Sequence, residues 1–190
     1  MTSVVGIANA ALLRIGAGLI MSLDEEGKAA RLCRQLYGPS RDAVLRAHPW
    51  NCALRRCALA QLVAPPAFGF ALQYQLPADC LRVLALDADG DGGDGGFRIE
   101  GRRLLCHAPG ARAHYIARID DPTQFDALLA DAIAARLAAE LAFPIAASTS
   151  LAQSMWQIYE MKLREARIVD AQEGTPPEAI VGDRWLKARL

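Results

Sequence analysis

The sequence predicts an α+β protein: an antiparallel helical bundle, a β-rich insertion of hairpins or a small antiparallel sheet, and an extended C-terminal tail. Apolar residues recur at helical spacing in the first and the last third of the chain. Short β-type segments separated by Pro or Gly turns fill the middle. Two adjacent prolines then exclude a helix near the end of the sequence. The predicted parts are a bundle (1–49 and 121–172), an insertion (50–120) and a tail (173–190).

The composition indicates a folded domain without a charge bias. The chain has 190 residues, of which 53% are hydrophobic, enough for a sizeable apolar core. Lys and Arg total 21, and Asp and Glu also total 21. A protein that binds the phosphate backbone of a nucleic acid regardless of sequence needs a positively charged surface. The balanced charge therefore argues against DNA as the main partner.

Five cysteines are scattered along the chain, and no two of them form a CxxC pair. A zinc site or a redox dithiol would require such spacing. We therefore expect reduced, mostly buried thiols in a protein made in the cytoplasm. They are Cys33, Cys52, Cys57, Cys80 and Cys106.

The N-terminal stretch is apolar but is predicted to be a soluble helix. It lacks a basic region before its apolar residues, and Arg14 interrupts it well before the ~20 residues that a membrane span needs. We expect neither a secretion signal nor a membrane partner.

Two helices are predicted before residue 49. The first ends at Gly16 and Gly18, after apolar residues at helical spacing. Ser22 and Glu25 have the S-x-x-E spacing of a capping box, so the second helix is expected to begin there. Pro39 lies inside it and predicts a kink or a break into two helices.

Six β-type segments are predicted in the insertion. Gly101 separates two of them and suggests a hairpin. The segments are 50–60, 69–76, 80–87, 97–100, 103–108 and 112–119.

Two further helices are predicted after residue 120. Asp121 followed by Pro122 predicts the start of the third helix, whose alanine-rich run, Phe125–Phe143, should be the buried centre of the bundle. Pro144 is expected to end this helix, and Ser148 or Thr149 to cap the fourth. The fourth helix has one apolar face and one polar face, so it should lie at a water boundary or a subunit contact. Its predicted buried face consists of Ala152, Trp156, Tyr159, Leu163 and Ala166.

Two loop motifs resemble ligand sites without completing them. The acidic run 87–92 matches the first half of a calcium loop, but Arg98 stands where a bidentate glutamate is needed. A solvated loop is favoured over calcium. The spacing G-x-G-x-x-G occurs at 90–95, but a strand-like segment follows instead of the helix that would bind a pyrophosphate. No metal or cofactor is predicted.

No catalytic constellation is visible either. His48, His107 and His114 are the only histidines; the last two fall in neighbouring predicted strands without a carboxylate or cysteine at ligand spacing. No serine lies in a G-x-S-x-G turn. We therefore expect a protein that is not an enzyme.

The segment HPWNCALRR combines an aromatic residue with two basic ones. We expect Trp50 to anchor a helix end in the core while Arg55 and Arg56 face a partner or solvent. Stacking of nucleic-acid bases on Trp50 is the alternative.

The tail is the strongest interaction signal in the sequence. Fully extended, residues 174–190 could span ~55 Å at about 3.3 Å per residue. A disordered terminus is normally depleted in large apolar side chains, but this tail contains several, which indicates a contact with another surface. Folding back onto its own domain is the alternative. The candidate interaction residues in the tail are Ile180, Trp185, Leu186 and Leu190, with Arg55 and Arg56 added from the insertion.

Three blocks carry a resemblance to a known family. The segment 22–60, which contains HPWN, and the segment 68–86, which contains LPADCLRV, resemble the head-to-tail adaptors, or tail tubular A proteins, of short-tailed bacteriophages. A Trp185-Leu-Lys-Ala-Arg189 ending after a proline-rich linker is also similar to this family. Pro39 and the Asp/Gly loop 88–96 depart from its pattern.

The resemblance implies a structural virion protein that is made in the host cytoplasm. Such a protein docks as a ring, expected to be dodecameric, between the portal protein and a tail nozzle or tail-tube protein. It keeps packaged DNA in and provides the channel for ejection, with double-stranded DNA passing without sequence-specific binding. The bundle would make the lateral contacts, the tail would reach the portal or a neighbouring subunit, and the insertion would face the tail proteins. A small DNA-binding accessory protein and a tail-associated hydrolase are the alternatives.

Overall fold

The computed structural model describes residues 3–87 and 96–173. Within them the chain forms four α-helices and seven β-strands, joined by turns and two short 3-10 helices. The helices are α1 (Val4–Arg14), α2 (Lys28–Ala47), α3 (Ala127–Ala146) and α4 (Thr149–Gln172). The strands are β1 (Leu54–Ala58), β2 (Ala60–Gln61), β3 (Leu72–Gln75), β4 (Cys80–Asp87), β5 (Arg98–Glu100), β6 (Arg103–Cys106) and β7 (Arg112–Ala117).

The main hydrophobic core lies among the helices, with α3 at its centre. Helix α3 packs against α1, α2 and α4. Ten of its twenty residues are buried, and six of these are alanines, which allow the neighbouring helices to approach closely. The predicted central, mostly buried third helix is confirmed.

The strands form two small antiparallel sheets. Sheet 1 has the order β1-β7-β4, and sheet 2 has the order β2-β3-β6-β5. Tyr74 and Leu104 of sheet 2 share a second core with Tyr115 of sheet 1, while Ile116 of sheet 1 belongs to the core of the helices. Because side chains alternate along a strand, sheet 1 covers the helices with one face and sheet 2 with the other. The α+β class is confirmed, in three layers: helices, sheet 1 and sheet 2.

Helix α2 differs from its prediction at two points. It begins at Lys28, with Gly27 as its N-cap, so the start predicted at Ser22 is wrong. One half of the capping box does form, since the Glu25 carboxylate accepts hydrogen bonds from the Met21 and Ser22 amides. The Ser22 hydroxyl accepts from the Asp24 amide instead of the Glu25 amide, and these bonds close a turn before the helix. The helix is also continuous through Pro39, so the alternative of two separate helices is wrong.

Pro39 is tolerated because of where it lies on the helix. Its side chain is exposed, whereas its neighbour Ser40 is buried. Proline removes one hydrogen bond to the carbonyl four residues earlier. On the outer side of a helix, water can bind that carbonyl instead.

Helix α3 begins later and ends later than predicted. Asp121 caps a single 3-10 turn, Pro122–Gln124, and the α-helix starts after Asp126, whose carboxylate accepts hydrogen bonds from two backbone amides of the first turn. Pro144 lies inside the last turn instead of ending the helix. The end comes at Ala147, which adopts a left-handed conformation (φ 52°). Ser148 caps α4 as predicted.

The strand predicted at 80–87 is confirmed by β4, whereas the other β segments are shorter than predicted or are divided differently. The segment 50–60 is not one strand, because a 3-10 turn at Asn51–Ala53 precedes β1 and Leu59 separates β1 from β2. The hairpin at Gly101 is confirmed: β5 and β6 pair on either side of it, and its φ of 59° is a conformation that glycine adopts without strain. The predicted Asp/Gly loop falls almost wholly outside the described residues.

A buried arginine joins the helices to the end of sheet 1. Arg41 of α2 is almost fully buried, and its guanidinium lies 2.7 Å from an Asp120 oxygen and 2.9 Å from an Asp42 oxygen. Asp120 follows β7 and immediately precedes the turn into α3. This contact therefore fixes the point at which the chain returns from the sheets to the helices.

Candidate interaction surfaces

The HPWN segment lies at the joint between α2 and β1. The Trp50 side chain is fully buried, and its indole N–H donates to the Val44 carbonyl at 2.9 Å. The His48 ring packs edge-on against it, with 4.8 Å between ring centroids. Trp50 therefore anchors the end of α2 in the core, as predicted.

The same segment holds the last turns of α4 through Asp170. The buried Asp170 carboxylate accepts a hydrogen bond from the Asn51 amide at 3.1 Å, and its other oxygen lies 3.1 Å from His48 Nε2. The Asn51 side chain donates to the Asp170 carbonyl at 2.8 Å. Arg167, one turn earlier, donates to the Ala47 carbonyl at 2.9 Å. These contacts, which we call the α4 clasp, fix where the chain leaves the bundle.

Burial sets the charge state of the histidine in the clasp. Loss of hydration lowers the pKa of His48 below its usual 6.5, and this outweighs the nearby Asp170 carboxylate, which acts in the opposite direction. His48 is therefore neutral near pH 7. A neutral, half-buried imidazole paired with a buried carboxylate serves here as a structural contact between two elements.

The LPADC segment is likewise a structural turn. It enters β4 from β3, and Leu76 and Cys80 are buried in the second core. The Asp79 carbonyl accepts from the Arg118 amide at 2.7 Å, while its carboxylate lies 3.4 Å from the Tyr115 hydroxyl. Both segments that carry the family resemblance thus stabilise joints of the fold.

Arg55 and Arg56 are exposed on β1, as predicted. Arg55 donates to the carbonyls of Cys52 and Leu54, both at 2.9 Å, which holds its side chain against its own backbone. Arg56 pairs with His114 across sheet 1, beside a shallow cavity of about 340 Å³. The structure therefore separates the two arginines: Arg56 lines this cavity, whereas Arg55 is held against its own backbone.

That cavity has mixed charge. Arg56, Arg112 and His114 contribute basic groups, and Asp87 lies 3.1 Å from the Arg112 guanidinium. The Asp87 carboxylate neutralises much of the positive charge of these side chains. The cavity does not have the unopposed basic charge that a phosphate backbone requires.

An exposed apolar loop joins β2 to β3, and we call residues 62–71 the apolar tip. Val63 is fully exposed and the Phe68 side chain is 88% exposed. The buried Gln73 side chain donates to the Ala64 carbonyl at 2.6 Å, and the Leu62 amide donates to the Gln73 carbonyl at 2.9 Å. The base of the loop is held in place while its large apolar side chains face solvent, as expected of an interaction site.

The sequence-based reasoning missed the apolar tip, although a signal was present. Residues 57–78 contain no Asp, Glu, Lys or Arg. Surface loops normally carry charge or turn-forming polar residues. An uncharged run of this length, with Pro65 and Pro66 in its middle, is unusual for a loop that faces only water.

Helix α4 has a second apolar face beside its buried one. We define the α4 stripe as Ile158, Met161, Ile168 and Val169, of which the last three are exposed. The opposite side contributes Tyr159, Leu163 and other residues to the core, as predicted. Trp156, predicted on the buried face, is only half-buried, and the Arg136 guanidinium lies over its ring at 4.4 Å.

The thiols have the chemistry of buried structural cysteines. Burial raises the pKa of Cys33 and of Cys52 to about 11, with smaller effects from nearby carboxylates at Cys52. Because only the thiolate is a strong nucleophile, neither is suited to covalent catalysis near neutral pH.

The other two histidines lie apart from the clasp. His107 packs against the Phe70 ring, with 5.1 Å between centroids, and His114 lies in the middle of β7. They are not on paired strands, because β6 and β7 belong to different sheets, so the predicted neighbouring arrangement is wrong. Over the ranges 3–87 and 96–173, no group of three or more His, Cys, Asp or Glu side chains could hold a metal ion.

Two further findings concern possible membrane spans and the residues of the tail. None of the helices in the described part is long and apolar enough to cross a membrane. The tail residues Ile180, Trp185, Leu186 and Leu190 lie outside the described residues.

Comparison with known proteins gives no assignment. No protein-family model matches the chain, and no curated protein is significantly similar to it.

Proposed function

We propose that the protein is a structural virion component, a head-to-tail adaptor that binds the portal on one side and a tail nozzle or tail-tube protein on the other. The observation that carries this proposal is the apolar tip on sheet 2, the outer layer, which exposes large apolar side chains. The sequence adds a second candidate contact, the apolar residues of the tail, which follows the clasped end of α4. A protein that joins two different partners needs two such elements.

The same arrangement supports assembly into a ring. The α4 stripe leaves the bundle with an apolar face for a neighbouring copy, and copies that join through unlike surfaces form heterologous contacts, which close into rings when the rotation permits. In this proposal the bundle makes the lateral contacts and double-stranded DNA passes through the ring. The mixed charge around Arg56, Arg112 and Asp87 fits a surface along which DNA slides without binding tightly.

The experiment that tests this function is light scattering with negative-stain imaging of the purified protein, alone and mixed with the portal ring encoded alongside it. A ring stacked on the portal is the expected result. A protein that never engages the portal at micromolar concentration would overturn the proposal.

A truncation locates the portal contact. Removing residues 175–190 should abolish portal binding and leave the bundle cooperatively folded, because the truncation lies beyond the clasp. The double variant Trp185→Ala, Leu186→Ala should act in the same direction, with Glu178→Ala as the matched control in the same segment. Full portal binding by the truncated chain would exclude the tail as the contact.

A further inference from the structure

We propose that the α4 stripe is the docking site of the chain's own C-terminal segment, residues 178–190, with Trp185 and Leu186 as its apolar anchors. This inference does not rest on the adaptor function, since it concerns the isolated chain. It assigns an occupant to a helix face that no described element covers.

The stripe is exposed to solvent. Met161 and Ile168 are 57% and 55% exposed, and Val169 is also exposed, although the other side of the same helix packs in the core. Met161 and Ile168 lie two turns apart on almost the same line along the helix, and Val169 is about 100° further around it. A helix that is apolar on a second face is normally covered by another element.

The chain is long enough to reach the stripe. Helix α4 ends at Gln172, roughly 16 Å beyond Met161 at ~1.5 Å per residue. Residues 174–185 span up to about 40 Å when extended, at ~3.3 Å per residue. Gly174, Pro176 and Pro177 stand where the chain has to reverse direction. Trp185 can therefore return to the stripe without strain.

The chain's own segment is favoured over that of a second copy because the two are covalently linked. A short flexible connection gives an effective concentration in the millimolar range, which exceeds the concentration of a second copy in a dilute solution. When a ring forms, a neighbouring copy or a partner can displace the segment from the stripe.

Site-specific photo-crosslinking of the full chain provides the test. We would place a benzophenone amino acid at position 161, irradiate, and map the products by mass spectrometry. The expected product joins position 161 to residues 183–190 in the monomer band. The same probe at the exposed Leu13 of α1 is the control and should not give it. A tail crosslink found only in the dimer band would overturn the proposal in favour of a second copy.

Limited trypsin digestion gives an independent readout. A seated segment is cleaved only when it opens, so cleavage after Arg184 and Lys187 should be slowed. The double variant Met161→Ser, Ile168→Ser should speed this cleavage about tenfold, while Leu13→Ser should not change it. Equal cleavage rates in all three proteins, with no crosslink from position 161, would exclude the docking site.

Discussion

His48 and Asp170 are separated by 122 positions in sequence, yet His48 Nε2 lies 3.1 Å from an Asp170 carboxylate oxygen. This contact joins the end of α2 to the end of α4. It also places the last described turn of the protein against the segment where the chain enters sheet 1.

Removing the Asp170 carboxylate should destabilise the fold substantially. In Asp170→Ala the Asn51 backbone amide loses its acceptor and the half-buried His48 loses its partner. We expect a loss of about 2–3 kcal/mol in the free energy of unfolding, measured by urea denaturation. Asp24→Ala is the control, because its ion pair with Arg34 is solvent-exposed and should contribute less than ~1 kcal/mol. Equal effects of the two substitutions would contradict the structural role of the clasp.

Stability should fall as the pH drops from 7.5 towards 5.5. The pKa of His48 is lower in the folded protein than the ~6.5 of the unfolded chain, so the unfolded state binds more protons in this interval. Unfolding therefore becomes easier as the pH falls through 6.5, and the effect levels off below the folded pKa. Urea midpoints of the wild type and His48→Gln, measured at each pH, provide the test. If the urea midpoint of His48→Gln falls with pH as steeply as that of the wild type, groups other than His48 cause the pH dependence.

Enlarging an alanine at the centre of the bundle should destabilise it. Ala138 of α3 is fully buried where α3 meets the other helices, so Ala138→Leu should cost about 1–3 kcal/mol through overpacking. Ala127→Leu is the matched control on the same helix, at an exposed position in its first turn, and should change stability by less than ~0.5 kcal/mol. Thermal unfolding followed by circular dichroism measures both. A neutral Ala138→Leu would mean that the helices do not approach α3 closely.

Cys33 and Cys52 should resist alkylation in the native state. With a pKa of about 11, roughly one thiol in a thousand is a thiolate at pH 8. Iodoacetamide treatment followed by peptide mass spectrometry should leave both unmodified in buffer and modify both in urea. Rapid native modification of either thiol would reopen the question of a cysteine nucleophile.

Charged residues at the apolar tip should weaken partner binding without affecting the fold. Val63→Asp with Phe68→Asp alters two side chains that face solvent, so the urea midpoint should not change. Under the proposed function, co-sedimentation with the nozzle or tail-tube protein should fall at least tenfold. Arg98→Asp, at an exposed position on β5 of the same sheet, is the control for a surface charge change. Undiminished co-sedimentation of the double variant would exclude the tip as that contact.

Much of the fold could be predicted from the sequence, because local patterns fix most of the elements. The alanine-rich run identifies the central helix, and the alternation around Gly101 identifies a hairpin. Element boundaries were less accurate. The Ser22 and Asp121 signals are real hydrogen-bonding turns, but a capped turn continues into an α-helix only when the following residues can also bury an apolar face.

The candidate surfaces were harder to predict, because they depend on contacts between distant residues. The apolar series of α4 runs through Tyr159, Leu163 and Ala166, and its next position is Asp170. A carboxylate at a buried position implies a polar partner, but the sequence does not show that this partner is the HPWN segment, more than a hundred residues away. Exposure of the apolar tip likewise follows from the sheet order, which local patterns do not determine.

The ion pair between Arg41 and Asp120 has a consequence for the order of folding. The two residues are 79 positions apart, and α3 follows directly after the second one. During synthesis, α1 and α2 therefore emerge well before the helix that covers their apolar faces. Closing so long a loop costs chain entropy before any of the bundle contacts form. Pairing of Leu54 with Ile116 in sheet 1 closes most of the same loop, so the formation of sheet 1 and of the bundle are coupled.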